Sequence, residues 1–231
     1  MPEVVMITGA AGNLGRAVSR FFAERGCNLI LIDKAAASAE LLPSACGQES
    51  LTLQADLRNA AKVEEAVRLG LAQFGRIHFL CNLAGGFRSG SPLHETSDAD
   101  WDYLFDLNTR SILNTARAVV PRMVEAGGGK IVNVAAGAAE AGAAGMAAYS
   151  AAKSAVVRLT EAMAMELRQR RINVNCVLPS IIDTPENRAA MPDADAARWV
   201  APSDLARVIG FLASEDAVAV HGAAIPVRGL S

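Results

Sequence analysis

Several things are scarce in this 231-residue chain, and each scarcity removes a class of function. The four cysteines, Cys27, Cys46, Cys81 and Cys176, lie far apart and never form a CxxC pair, so neither a disulfide nor a thiol redox motif is expected. His78, His94 and His221 are isolated singles, and no metal site is expected from them. No segment approaches the roughly 18 uninterrupted apolar residues of a membrane span. The opening MPEVVMITGA shows no basic leader before a long apolar run. Charge is nearly balanced, 22 basic against 24 acidic residues for a net −2, and the one dense basic run, Arg168, Arg170 and Arg171, suits a helix end facing solvent. These features argue against nucleic-acid and membrane partners and lead to the expectation of a soluble, cytoplasmic protein acting on a small molecule. With 52% hydrophobic residues the chain can fill one large core, so residues 1–231 are read as a single domain.

Short β-rich apolar runs alternate with longer helical patterns: VVMIT (4–8), NLILI (28–32), LTLQA (51–55), IHFLC (77–81), KIVNV (130–134), INVNCVL (172–178) and AAIPV (223–227). Such alternation predicts parallel βαβ units. Strands apolar on both faces need helices on both sides, giving an α/β, doubly wound parallel seven-stranded sheet of Rossmann type. In the first helix Leu14, Ala17, Val18, Phe21 and Phe22 form the stripe that lies on a sheet. A longer helix is expected over 98–126, with Trp101, Leu104, Phe105, Ile112, Ala116, Val119, Val120 and Met123 on one face together with the polar Asn108.

The turn TGAAGNLG (8–15) joins the first strand to the first helix. Gly9 and Gly15 permit a sharp turn, and Asn13 and Leu14 open a helix whose N-terminus favours a pyrophosphate. Asp33, ending the second strand, is placed to accept both adenosine ribose hydroxyls and to repel a 2′-phosphate, so NAD is expected over NADP, although Lys34 adjoins it. Asp56 and Leu57 follow the third strand, where they can line an adenine site; Asp56 can equally cap the next helix.

Tyr149 and Lys153 stand four apart in YSAAK, a spacing that puts both on one helix face. A lysine cation favours the phenolate. Lowering a tyrosine from about pH 10 to about 7 takes roughly 4 kcal/mol, more than an exposed pair supplies. Upstream, VNVAAGAAEA (132–141) has no hydroxyl at all.

TGAAGNLG, Asp33, Asp56-Leu57, NLAG (82–85), Asn108, YSAAK and LPSIIDTP (178–185) together resemble the short-chain dehydrogenase/reductase family over essentially the whole chain. The resemblance implies Tyr149 as general acid/base, Lys153 as the residue that binds the nicotinamide ribose and lowers the tyrosine pKa, and Asn108 as a holder of a relay water. It also implies cofactor contacts from Asn82, Ala84, Gly85, Ile182 and Thr184, and assembly as a homodimer or homotetramer through the long helices. Four positions depart from the family pattern: Asn13, Leu83, Ser180 and, where a substrate-binding serine normally stands, Ala136. Losing one oxyanion donor typically costs about 10²–10³ in rate. Dihydropteridine reductases, a branch of the family, resemble the chain in having a small residue there, in AGG (84–86), and in LPSIIDTPENRAAMPDADAARW (178–199). That likeness implies hydride transfer to a planar conjugated C=N or C=O, with a quinonoid dihydropterin as candidate, and Trp199 either packing over a flat substrate or anchoring its own loop. The alternatives are a carbonyl or hydroxyacyl reductase in which Ser180, Ser150 or a water replaces the serine, and a non-catalytic dinucleotide-binding sensor.

Overall fold

Val5 and Ile7 join one apolar cluster, whereas Val4 and Met6 join another. That period-two partition is what a sheet covered on both faces requires. It repeats in the second strand, where Leu29 and Leu31 face one way and Ile30 and Ile32 the other. The computed structural model describes residues 2–35 and 49–230, which leaves Cys46 outside the described residues. Its strands are β1 (Val4–Thr8), β2 (Asn28–Asp33), β3 (Ser50–Gln54), β4 (Phe79–Asn82), β5 (Gly129–Val134), β6 (Ile172–Pro179) and β7 (Ala224–Val227). All pair in parallel, in the order β3-β2-β1-β4-β5-β6-β7. The seven runs expected from the sequence are the seven strands of this one sheet.

The helices are α1 (Asn13–Ala23), α2 (Ala60–Phe74), α3 (Asp98–Phe105), α4 (Ser111–Glu125), α5 (Ala147–Leu167), α6 (Pro185–Ala190) and α7 (Pro202–Ala213). Val18 and Phe22 of α1 share a cluster with Leu205 and Ile209 of α7. Val63 and Val67 of α2 share the opposite cluster with Val119 and Met123 of α4. The chain winds outward from β1 to β3, crosses back to β4 and winds outward again. The crevice opens where that direction reverses, beyond the carboxyl ends of β1 and β4.

The helix expected to run unbroken through 98–126 is interrupted. A π-helical turn, Asp106–Arg110, separates α3 from α4 and contains the buried Asn108. One extra residue in the turn rotates α4 relative to α3, so residues before and after it cannot share one straight face. Trp101, expected on the buried face, is 40% exposed and stacks on Phe105 with ring centroids 4.6 Å apart.

Candidate active site

The turn after β1 is shaped by two backbone approaches. Gly9 has φ +67°, and a Cβ there would lie 2.9 Å from the backbone of Ala84; a Cβ on Gly15 would lie 2.1 Å from the Gly9 carbonyl oxygen. Any side chain at either point would push the first turn of α1 away from β4. Gly12 precedes α1 with no side-chain cap, which leaves first-turn N–H groups for an anion. The cleft above this turn encloses about 580 Å³ and is lined by Gly9, Asn13, Leu14, Gly15, Asp33, Asp56 and Leu57, with Ala84, Gly85, Ile182 and Thr184 across from them.

Asp33 is fixed at the cleft edge. Its Oδ2 accepts from Ala11 N–H at 3.0 Å and its Oδ1 from Ala35 N–H at 3.0 Å, and each oxygen keeps a further lone pair. Asp56 is not a helix cap, because Asn59 caps α2 by accepting from the N–H groups of Ala61 and Lys62. Asp56 instead takes a two-point contact from Arg58, Nε to Oδ1 at 3.0 Å and Nη2 to Oδ2 at 2.6 Å, and this hydrogen bonding holds its carboxyl down to about 2. Lys34 is exposed, with Nζ 4.0 Å from the Asp56 carboxylate. Arg58 is thus committed to Asp56, Lys34 reaches only the limit of ion-pair distance, and Arg16 donates from Nε to the Ala11 carbonyl at 2.9 Å.

Several interior groups that sequence reasoning missed brace this floor. Thr8 Oγ1 accepts from the N–H groups of Leu83 and Ala84 at 3.1 and 3.4 Å, setting the turn after β4. Asn114, buried on α4, donates to the Leu57 carbonyl at 2.8 Å. The available signal was the recurrence of polar residues, Asn108, Ser111, Asn114 and Thr115, along an otherwise apolar helix face. Asn82, expected at the cofactor, turns its side chain into the sheet: it donates to Asn133 at 2.9 Å and accepts from Thr115 at 3.0 Å.

At the other end of the cleft, Gly85 brings two of the expected catalytic side chains together. A Cβ on Gly85 would meet Asn108 Oδ1 at 2.8 Å and Lys153 Nζ at 3.1 Å. Lys153 is buried and donates to the Val134 carbonyl at 3.0 Å, with Nζ 5.9 Å from the Tyr149 ring centroid. Burial pulls the Lys153 amine down to about 8 and pushes the Tyr149 phenol up to about 12. The expected lowering of Tyr149 by Lys153 is thus outweighed among the protein's own groups, because desolvation penalises both charged forms at once. Asn108 spends its amide locally: Nδ2 donates to the carbonyls of Gly86 and Leu104, and Oδ1 accepts from Gly86 N–H.

The hydroxyls suggested as substitutes for the missing serine are engaged or enclosed. Ser180 Oγ donates to the Arg228 carbonyl at 2.8 Å. Ser150 Oγ is buried and has no hydrogen-bond partner among the described residues. Ala135 and Ala136 follow Val134 directly and are themselves buried. Ile182 offers its carbonyl to Asn187 Nδ2 at 2.8 Å, and Thr184 caps α6 by accepting from Asn187 N–H at 3.2 Å. Asn13 Nδ2 reaches across to Glu186 Oε2 on α6 at 2.8 Å. Trp199 is 8% exposed and is not among the residues lining this cleft.

The family model described as short chain dehydrogenase matches residues 3–195. Among curated proteins, the chain is 36% identical to the (2S)-[(R)-hydroxy(phenyl)methyl]succinyl-CoA dehydrogenase subunit BbsD of Thauera aromatica, covering 98% of this chain and 95% of that one. It is 31% identical to the 3-oxoacyl-[acyl-carrier-protein] reductase FabG of Thermotoga maritima, covering 98% and 96%. Among solved structures, levodione reductase superposes with a TM-score of 0.92 at 31% identity over 98% of this chain and 96% of that one. NAD+-bound xylitol dehydrogenase superposes at 0.88 with 26% identity, covering 98% of each.

Proposed function

The chain belongs to the short-chain dehydrogenase family and is an oxidoreductase, and we propose that it uses NAD(H) to reduce a planar conjugated C=N or C=O, with a quinonoid dihydropterin as the candidate substrate. The observation that carries this reading is the hydroxyl-free wall after β5, Ala135 and Ala136, with Ser150 enclosed and Ser180 turned to Arg228. A localised oxyanion would find no hydroxyl on residues 132–141 to bond to. A conjugated ring spreads the incoming charge, so one proton donor suffices.

The residues fit a nicotinamide dinucleotide: two glycine positions that a Cβ would fill, an uncapped helix start, and a fixed carboxylate at the ribose end. When bound, that cofactor supplies or takes up a hydride. Gly9, Gly15 and the start of α1 would hold its pyrophosphate. Asp33 would hold the adenosine ribose hydroxyls and repel a 2′-phosphate, with Arg58 paired to Asp56, which favours NAD over NADP. Asp56 and Leu57 would border the adenine, and Gly85, Ile182 and Thr184 the reacting end. Tyr149, kept protonated by burial across neutral pH, holds the proton that goes to the substrate. Lys153, fixed at the Val134 carbonyl, carries the positive charge that favours the phenolate left behind.

A second reading, a reductase or dehydrogenase of simple ketones, secondary alcohols or hydroxyacyl groups, is favoured by the activities for which the relatives are named. The discriminating experiment follows NADH oxidation with freshly generated quinonoid dihydropterin and with a panel of saturated ketones, for the native protein and Tyr149→Phe. Turnover of the conjugated substrate that collapses in the variant supports the first reading. Faster turnover of saturated ketones by the native protein moves the assignment to the second. Cofactor binding with no turnover in either arm leaves a dinucleotide sensor. Self-association is proposed through α4 and α5, whose outer residues Leu113 and Met165 are 39% and 66% exposed; sedimentation as a monomer at micromolar concentration would remove it.

A further inference from the structure

Phe87 is 57% exposed and belongs to none of the apolar core clusters among the described residues. Its ring partner is the Tyr149 phenol ring, edge to face, with centroids 4.9 Å apart and planes at 89°. An exposed aromatic on a loop ordinarily swings freely. Here both neighbours are secured. Gly86 is gripped by Asn108 through its N–H and its carbonyl, at 3.1 and 3.0 Å. Arg88 is ion-paired to Asp100, and its guanidinium carbon lies 3.9 Å from the centroid of the Tyr103 ring. Two residues further on, Gly90 N–H donates to the Gly145 carbonyl at 2.9 Å, which ties the loop to the segment leading into α5. The ring is thus presented to solvent from a fixed backbone, beside the proton donor, without contributing to the core.

A large apolar side chain left 57% exposed gains little from the isolated fold beyond its edge-to-face contact with Tyr149, and it is preorganised for a flat ligand. The recess beside Tyr149 and Arg88 is half open to solvent and offers about 40 Å³, little more than one water. A ring system has no interior room there and has to rest against the exposed side. We propose that Phe87 is a specificity-determining residue, forming with Tyr149 an aromatic corner against which a planar unsaturated substrate lies. This rests on the reading of Tyr149 as the proton donor to a planar substrate. It also supplies orientation that a serine hydroxyl at position 136 would otherwise give by hydrogen bonding. The ring edge and face substitute shape for a directed bond.

The test uses full-length protein saturated with NAD+, titrated with a fully oxidised pterin as the planar probe and with cyclohexanone as the non-planar one, each followed calorimetrically. Phe87→Ala and Phe87→Leu are expected to weaken pterin binding about tenfold, the loss of one aromatic contact, while Phe87→Tyr restores it and cyclohexanone binds all four proteins alike. Equal weakening of both probes, or none, overturns the proposal. A fall in sedimentation coefficient for Phe87→Ala also overturns it, since the ring would then be a subunit contact. If the native protein turns over no conjugated substrate yet binds the pterin in a ring-dependent way, the functional reading fails and the subsite stands. If turnover is normal and binding is indifferent to the ring, the reverse holds.

Discussion

Asn108 grips Gly86 by both of its backbone groups, Nδ2 to the carbonyl at 3.0 Å and Oδ1 from the N–H at 3.1 Å, while the same Nδ2 donates to Leu104 at 2.9 Å. The asparagine that interrupts a helix with a π turn therefore also fixes the loop after β4. Asn108→Ala should leave these backbone groups without a partner and cost about 2 kcal/mol in urea denaturation. Because the loop borders Tyr149 and Phe87, kcat should fall more than NADH affinity. A variant with native kcat and lowered stability would reduce Asn108 to a structural role.

Ala136→Ser restores a donor where the hydroxyl is missing. Turnover of saturated ketones should rise by about tenfold or more, within the range one oxyanion donor is worth. Turnover of a conjugated ring should change little. Parallel initial-rate measurements on the two substrate classes check this, and equal gains on both would refute charge delocalisation as the reason for Ala136.

Lys153 carries a pH signature. Its amine is pulled from 10.5 to about 8 by burial, so between those values the unfolded chain holds the proton that the folded protein has released. Stability from this group is complete above pH 10.5 and is lost as pH falls toward 8, a span worth about 3 kcal/mol. Buried Cys27 and Cys176, both raised to about 11, pull the opposite way from pH 9 upward. The readout is therefore the difference between native protein and Lys153→Met in denaturation without added cofactor: the variant should lack the rise between pH 8 and 10.5.

Asp33→Asn keeps an acceptor at the ribose but removes the charge. NADH affinity should drop about tenfold or more, as for a hydrogen bond to an ionised group, while NADPH affinity holds or improves. Fluorescence titration with both nucleotides measures the ratio. An unchanged ratio would mean that Asp33 serves only the N–H groups of Ala11 and Ala35.

The sheet was readable because each strand is a short β-rich run and strands β1 and β4 are covered on both faces, while the edge strand β3 alternates exposed Ser50, Thr52 and Gln54 with Leu51 and Leu53. The tight turn at Gly9 and Gly15 was readable because a strand-to-helix turn with such close backbone approach needs glycine at those points. The break at Asn108 was not, since an apolar period continues on either side of it and only the inserted residue reveals the π turn. Asn82 was assigned to the cofactor by its place in NLAG; the buried network that its side-chain amide completes with Asn133 and Thr115, partners 51 and 33 residues away, has no local pattern. Phe87 and the Asn13 bond to Glu186 carried no local signal, for both depend on segments distant in sequence.

The bond between Asn13 and Glu186 joins two segments 173 residues apart. It ties the start of α1 to α6 across the cleft, whereas Phe87 approaches Tyr149 from the loop after β4. The rim of the cleft is therefore closed on this side by one exposed hydrogen bond, worth about 1 kcal/mol, which solvent can replace at little cost.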